Sequence, residues 1–260
     1  VQSFFEEDLK LMNRAHDAGE ALACLLLAKQ YFDNISIDLI YGMPDMSDAR
    51  WQENLDQAIA LDIPHISSYA LTVEPNTALQ KFIEKGVVKP MDDAVAQKHF
   101  EILLAHMEKA GFENYEFSNF GKPGYFSQNN TAYWTGKPYL GIGPSAHSFD
   151  GNTRSWNINN NPKYIKAIEA NVLPIERENL STTDKYNEYV MTGLRTIWGI
   201  SLEKIEQDFG LKFKEYALQQ AQKHIEEHLL FLDDHRIVVT KKGKFLSDGL
   251  ASDLFLLNLS

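Results

Sequence analysis

The sequence predicts an α/β fold followed by a smaller, mostly helical domain. Three features predict it. Short apolar runs closed by Gly or polar turns read as strands. Amphipathic stretches of helical length lie between them. Past residue 172 the texture changes to helices and one short hairpin. Strands separated by helices of this length imply βαβ crossovers and a parallel sheet. A barrel-type and a doubly wound arrangement both satisfy that pattern.

The elements follow in order. A helix is expected over residues 17–31, then a strand at "NISIDLIYG" (34–42). "SDARWQENLDQAIAL" (47–61) is a helix with Ser47 as N-cap. "HISSYAL" (65–71) is a strand, and "DDAVAQKHFEILLAHMEKAG" (92–111) is a capped helix ending on Gly. "FENYEFSNF" (112–120) is expected to be one further strand. Residues 121–161 are rich in Gly, Pro, Asn, Tyr and Trp, too aromatic for a disordered linker, and read as a long ordered loop region. Helices are expected at 184–196, 201–209 and 213–230, followed by a hairpin in "LLFLDDHRIVVT" and a last helix. That order is winged-helix-like. The expected domains are therefore 1–171 and 172–260.

Composition excludes several classes. The net charge is −11, so nucleic-acid binding is not expected, because neutralising phosphate needs a basic face. The helix at 213–230 sets Lys214 and Lys223 against Glu215, Glu226 and Glu227, which makes a poor recognition helix. No apolar run is long enough to span a bilayer. Cys24 is the only cysteine, so no disulfide forms within the chain, and a reducing cytoplasm is expected. One thiol cannot bind an iron–sulfur cluster, so no metal site is expected here. Cys24, mid-helix among Leu and Ala, reads as a small core residue.

Asp38 stands between apolar residues on a strand expected to be buried, near its carboxyl end. A carboxylate there must be paired or must bind something. It either accepts hydrogen bonds from a ligand such as ribose or pairs with Arg14. Gln2 sits at the end of the first strand. "YLGIGPSAHSF" loosely matches a dinucleotide pattern through Gly141, Gly143 and Ala146, but a turn rather than a helix should follow, so that reading is rejected. His147 beside it is a ligand-facing group or a core histidine. His224 and His228 in "HIEEH" formally match an inverted zinc-hydrolase motif on one helix face, without the context that motif needs. A non-catalytic scaffold is the other alternative.

In order, "VQSF", Arg14, "SIDLIYGMP", "SSYALTVEPNT", "YEFSNF" and "YW-TG-PYLGIGPSAHSF" resemble one family over nearly the whole chain. It is the radical S-adenosylmethionine family related to oxygen-independent coproporphyrinogen III oxidase, most closely its HemW-type branch of haem chaperones. The resemblance implies that this chain corresponds to the C-terminal two-thirds of a longer protein, the second half of an open radical-SAM-type parallel β/α barrel. The cysteine motif C-x-x-x-C-x-x-C, which would hold a 4Fe–4S cluster, would precede residue 1, so this chain alone is expected to be inactive. The family's S-adenosylmethionine contacts map onto Gln2, Arg14, Asp38 and Ala70. A tetrapyrrole, haem or porphyrinogen, is the implied ligand, with a haem-acceptor protein as partner. His147, Tyr133 and Trp134 are the candidate contacts. The branch carries His-Asn-x-x-Tyr-Trp; here "QNNTAYW" puts Asn129 at the His position, and His147 is the nearest alternative in sequence. An open barrel also exposes a strand edge, which would favour oligomerisation.

Overall fold

A computed structural model describes residues 1–75 and 77–257. Asn76, within the "VEPNT" stretch, lies outside the described residues. The chain divides into two compact units, Val1–Ser127 and Gln128–Ser260. The boundary expected from texture, 171/172, falls within the second unit, after its first helices and strands.

The first unit opens with a short helix α1 (Glu6–Leu11) and helix α2 (Ala18–Ala28). Asp17 and Glu20 close a reciprocal capping box at the start of α2. Strand β1 (Ser36–Tyr41), helix α3 (Asp48–Ala60) and strand β2 (His65–Ala70) follow, and β1 pairs parallel with β2. Ser47 caps α3 through the backbone N–H of Arg50. Next come α4 (Ala78–Glu84) and α5 (Asp93–Lys109), the latter capped by Asp92. Strands β3 (Glu113–Glu116) and β4 (Asn119–Gly121) complete a sheet of order β1-β2-β4-β3.

One expectation is corrected here. Residues 112–120 are not a single strand. The chain reverses after Glu116, and β4 runs antiparallel to both β3 and β2. The Glu116 carboxylate accepts the Ser118 backbone N–H, which fastens the reversal. The sheet is therefore mixed, with the parallel pairing confined to β1 and β2.

Alternation decides which face is buried. Ile37, Leu39 and Tyr41 of β1 are buried among residues of α3 and α5, including Trp51, Leu55, Phe100 and Leu103. Tyr41 lies 5.5 Å from the Trp51 ring and 6.4 Å from Phe100. The alternate residues Ser36 and Asp38 are exposed on the opposite face. Asp38 is thus not enclosed by its apolar neighbours. Those neighbours point to the helices, and Asp38 points away. Cys24 is likewise exposed rather than in the core.

The second unit begins with α6 (Gln128–Trp134), then strands β5 (His147–Phe149) and β6 (Thr153–Asn157), helix α7 (Asn161–Glu169) and strand β7 (Ile175–Asn179). These strands form an antiparallel sheet of order β5-β6-β7. The region expected as a long loop therefore carries regular structure. Beyond it lie α8 (Thr182–Leu194), β8 (Ile200–Ser201), α9 (Leu202–Phe209), α10 (Leu211–Glu226), β9 (Leu230–Asp233), β10 (Arg236–Val239) and α11 (Ser247–Asp253). The sheet order is β8-β10-β9. This is the winged-helix-like order expected, built on a core that includes Tyr186, Val190, Ile205, Ala217, Ala221 and Ile237.

Candidate functional site on the open sheet face

The polar face of the first sheet collects side chains from each of its strands. Asp38 and Ser67 are register partners on β1 and β2, so both project to that face. Asp38 is exposed and, among the described residues, accepts no hydrogen bond and forms no ion pair. Its charge instead acts on two neighbours, His65 and Tyr69. The expected alternative, a pair with Arg14, is not formed; Arg14 is exposed just after α1. Ala70 ends β2 opposite Tyr41.

Gln2 is placed by its neighbours. The Ser3 hydroxyl is fully buried and donates to Asp8 at 2.7 Å, and the Phe4 N–H donates to Asn54 at 2.8 Å. Asp8 is in turn held by Arg50 at 3.1 Å. The Gln2 carbonyl accepts from the N–H of Ile40 at 2.9 Å, so these first residues line the β1 edge. The Gln2 side-chain oxygen Oε1 is buried without a hydrogen-bond partner. A buried orphan acceptor of this kind calls for a donor from outside the described residues.

Behind Asp38 lies a buried hydrogen-bond chain that the sequence reading missed. Ser67 donates to Asn119 Oδ1 at 2.8 Å, and Asn119 Nδ2 donates to the Glu116 carboxylate. Glu116 is 2% exposed and Asn119 4%. Tyr69, two residues beyond Ser67 on β2, shares that face. Burial pushes the Tyr69 phenol above its ordinary range, opposed by Ser67 and reinforced by the charges of Asp38 and Glu116. At the other end of the face, His65 takes hydrogen-bonded positions with Ser36 at 2.6 Å and Tyr115 at 2.7 Å. Burial holds His65 below the ordinary histidine range, against the pull of Asp38. Polar residues interrupting the aromatic run "YEFSNF" were the available signal for Glu116 and Asn119.

At the carboxyl end of β1, Gly42 has φ +71°, and a Cβ there would stand 3.1 Å from the Ala96 side chain. Its N–H donates to His99 Nδ1 at 3.2 Å. His99 is buried, which lowers its pKa, with Asp48 partly opposing.

In the second unit, His147 is exposed and pairs with Trp156 across β5 and β6, their rings 6.0 Å apart. Phe149 shares its face by the two-residue period. Phe149, Tyr139 and Tyr133 form a string, with centroid separations of 6.1 and 4.6 Å. Trp134 is not part of that string; the Arg195 guanidinium covers its ring at 5.1 Å. Gly141 is required because a Cβ there would collide with the His147 carbonyl. A strand, not a helix, follows this turn, as the rejection of a dinucleotide motif required.

The zinc reading loses its geometric basis. The helix α10 ends at Glu226, and His228 has φ +58°, outside the helix, so His224 and His228 do not share a helical face. His224 instead meets Asp253 at 3.1 Å. No cluster of three or more His, Cys, Asp or Glu suited to a metal ion occurs among the described residues.

Comparison with known proteins bears on this arrangement. A family model described as "HemN C-terminal domain" matches residues 180–246. The chain is 32% identical over 256 residues to "Heme chaperone HemW" of Mycobacterium tuberculosis, covering 98% of this chain and 64% of that protein. It is 36% identical over 205 residues to the Escherichia coli protein of the same description, covering 76% and 52%. The chain belongs to the HemN/HemW family. It is also 30% identical over 268 residues to "Radical S-adenosyl methionine domain-containing protein 1, mitochondrial" of Bos taurus, covering 98% and 60%. A solved structure of a HemN protein, titled "Coproporphyrinogen III oxidase (HemN) from Escherichia coli is a Radical SAM enzyme", matches with TM-score 0.81 at 22% identity. It covers 98% of this chain and 62% of that one, and it shows the fold. The chain thus spans under two thirds of the HemW protein from Mycobacterium tuberculosis. The mixed α/β sheet of the first unit is consistent with part of the barrel of that HemN fold.

Proposed function

We propose that this chain is the C-terminal part of a radical S-adenosylmethionine protein of tetrapyrrole metabolism, acting as a haem chaperone. The observation that carries the reading is Asp38. It is a carboxylate on the open sheet face with no protein hydrogen bond among the described residues, beside a sheet edge where the Gln2 Oε1 is buried and unpartnered. Two such acceptors fit the hydroxyl and amine donors of an adenosyl ligand. Arg14 and Ala70 are the other contacts in this reading, with the Arg14 guanidinium suited to a carboxylate. The chemistry S-adenosylmethionine supplies beside a reduced 4Fe–4S cluster is hydrogen abstraction. The cluster thiolates would come from outside these residues, since Cys24 is the only cysteine. The likeness to proteins described as heme chaperones supports haem as cargo.

The tetrapyrrole contact is assigned to exposed His147 and the aromatic string through Phe149, Tyr139 and Tyr133, whose ring faces suit a flat apolar macrocycle. Haem titration by absorbance tests this on the present chain and on the full-length polypeptide. Both should bind, and His147→Ala should weaken binding about tenfold or more, the loss of roughly 1.4 kcal/mol or more. Binding by neither form, with the full-length protein cleaving S-adenosylmethionine, would instead favour a coproporphyrinogen-oxidase-like enzyme.

A further inference from the structure

The turn that follows β1 sits directly on helix α5. Gly42 enters it at φ +71°, where a Cβ would meet the Ala96 side chain at 3.1 Å. The Met46 N–H returns to the Met43 carbonyl at 3.2 Å and closes the turn through Pro44 and Asp45, the latter at φ +60°. Asp45 pairs with Lys89 at 2.6 Å, but both side chains are exposed, so solvent screens that ion pair and it holds the turn weakly. The tie in the interior is the Gly42 N–H, which donates to Nδ1 of the fully buried His99 at 3.2 Å. The turn and residues 89–95 together line a cavity of about 740 Å³, with Met43, Met46 and Met91 in its walls.

Only an unprotonated Nδ1 can accept that bond. The neutral ring then carries its proton on Nε2, which has no hydrogen-bond partner among the described residues and lies 3.5 Å from the Asp48 carboxylate. The charged groups acting on the ring are Asp48 of α3 and Lys98 of its own helix, which are paired with each other. A second proton would go onto Nδ1 and confront the Gly42 N–H in a buried site. Burial resists that charge, Asp48 favours it and Lys98 adds to the resistance. The His99 carbonyl accepts from the Trp51 indole at 2.9 Å, which fixes this part of α5 against α3. Separation therefore falls to the turn.

We propose that His99 is a proton-controlled latch on the turn at residues 42–46. Neutral, it holds the turn against α5; protonated, it releases the turn and opens the methionine-lined cavity. The latch is closed above the ordinary histidine range and is lost as pH falls below it. The device does not depend on what the sheet face binds.

Amide hydrogen exchange on the full-length polypeptide, followed by NMR from about pH 7.5 to about pH 5, tests this. The Gly42 protection factor should fall by about tenfold or more relative to that of Ser68, a buried β2 amide bonded to the Ser118 carbonyl. The midpoint of the fall should coincide with titration of the His99 ring in the same protein. In His99→Asn, whose Oδ1 takes the place of Nδ1 as acceptor and does not titrate, the fall should vanish. Gly42 protection that tracks Ser68 at every pH, a midpoint apart from the His99 titration, or an equal fall in His99→Asn would each overturn the proposal.

Discussion

Two carboxylates on one sheet illustrate how burial decides role. Glu116 is buried and its acceptor capacity is used by Ser118 and Asn119, so it orders its neighbours. Asp38 is exposed and unclaimed among the described residues, so its capacity is open to a ligand. Two histidines in the same unit carry a pH consequence. Burial lowers the pKa of both His65 and His99. In each case the unfolded chain binds a proton at a pH where the folded chain does not. Stability contributed by the neutral forms is therefore present above the unfolded value, about 6.5, and is lost as pH falls below it toward the folded values. Urea midpoints measured from pH 7.5 to 5 should fall on acidification, and His99→Gln should flatten that slope. A flat wild-type profile over this range would contradict the assignment.

Secondary structure was most legible where local chemistry and packing agree. Ser47, the amphipathic run after it and Trp51, Leu55 and Ala58 all indicate α3, and the helix forms with that cap and that buried face. Ser47→Ala should lower stability by about 1 kcal/mol, read as a shifted urea midpoint with unchanged slope. The region 112–120 was misread because its aromatic residues suit a strand throughout, while the reversal depends on the Glu116 side chain gripping the Ser118 N–H. No propensity encodes that contact. Asp38 was recognised as a candidate for a reason the fold corrects. Flanking Ile37 and Leu39 suggested enclosure, yet alternation sends them to α3 and α5 and leaves Asp38 on the open face. Ser67 and Asn119 were invisible because they lie on separate strands, and their hydrogen bond exists only once β2 and β4 are adjacent. His224 and His228 failed in the opposite sense. Their spacing is helical, but α10 ends between them.

At the scale of the molecule, the chain matches its relatives along 98% of its own length and 64% of theirs in the Mycobacterium tuberculosis case. Each compact unit holds part of the proposed machinery: the polar sheet face with Asp38 in the first, the aromatic string with His147 in the second. In the proposed reading the cluster thiolates come from outside these residues, since Cys24 is the only cysteine here. The central claim is that Asp38 is a ligand-binding carboxylate rather than a structural one. The most direct measurement is calorimetric titration of S-adenosylhomocysteine into the full-length polypeptide and its Asp38→Ala variant, with thermal melts of both. The predicted result is a loss of affinity of about tenfold or more in the variant with an unchanged melting temperature, since among the described residues no group depends on Asp38 for a hydrogen bond. Unchanged affinity, or a lowered melting temperature that accounts for the loss, would contradict it.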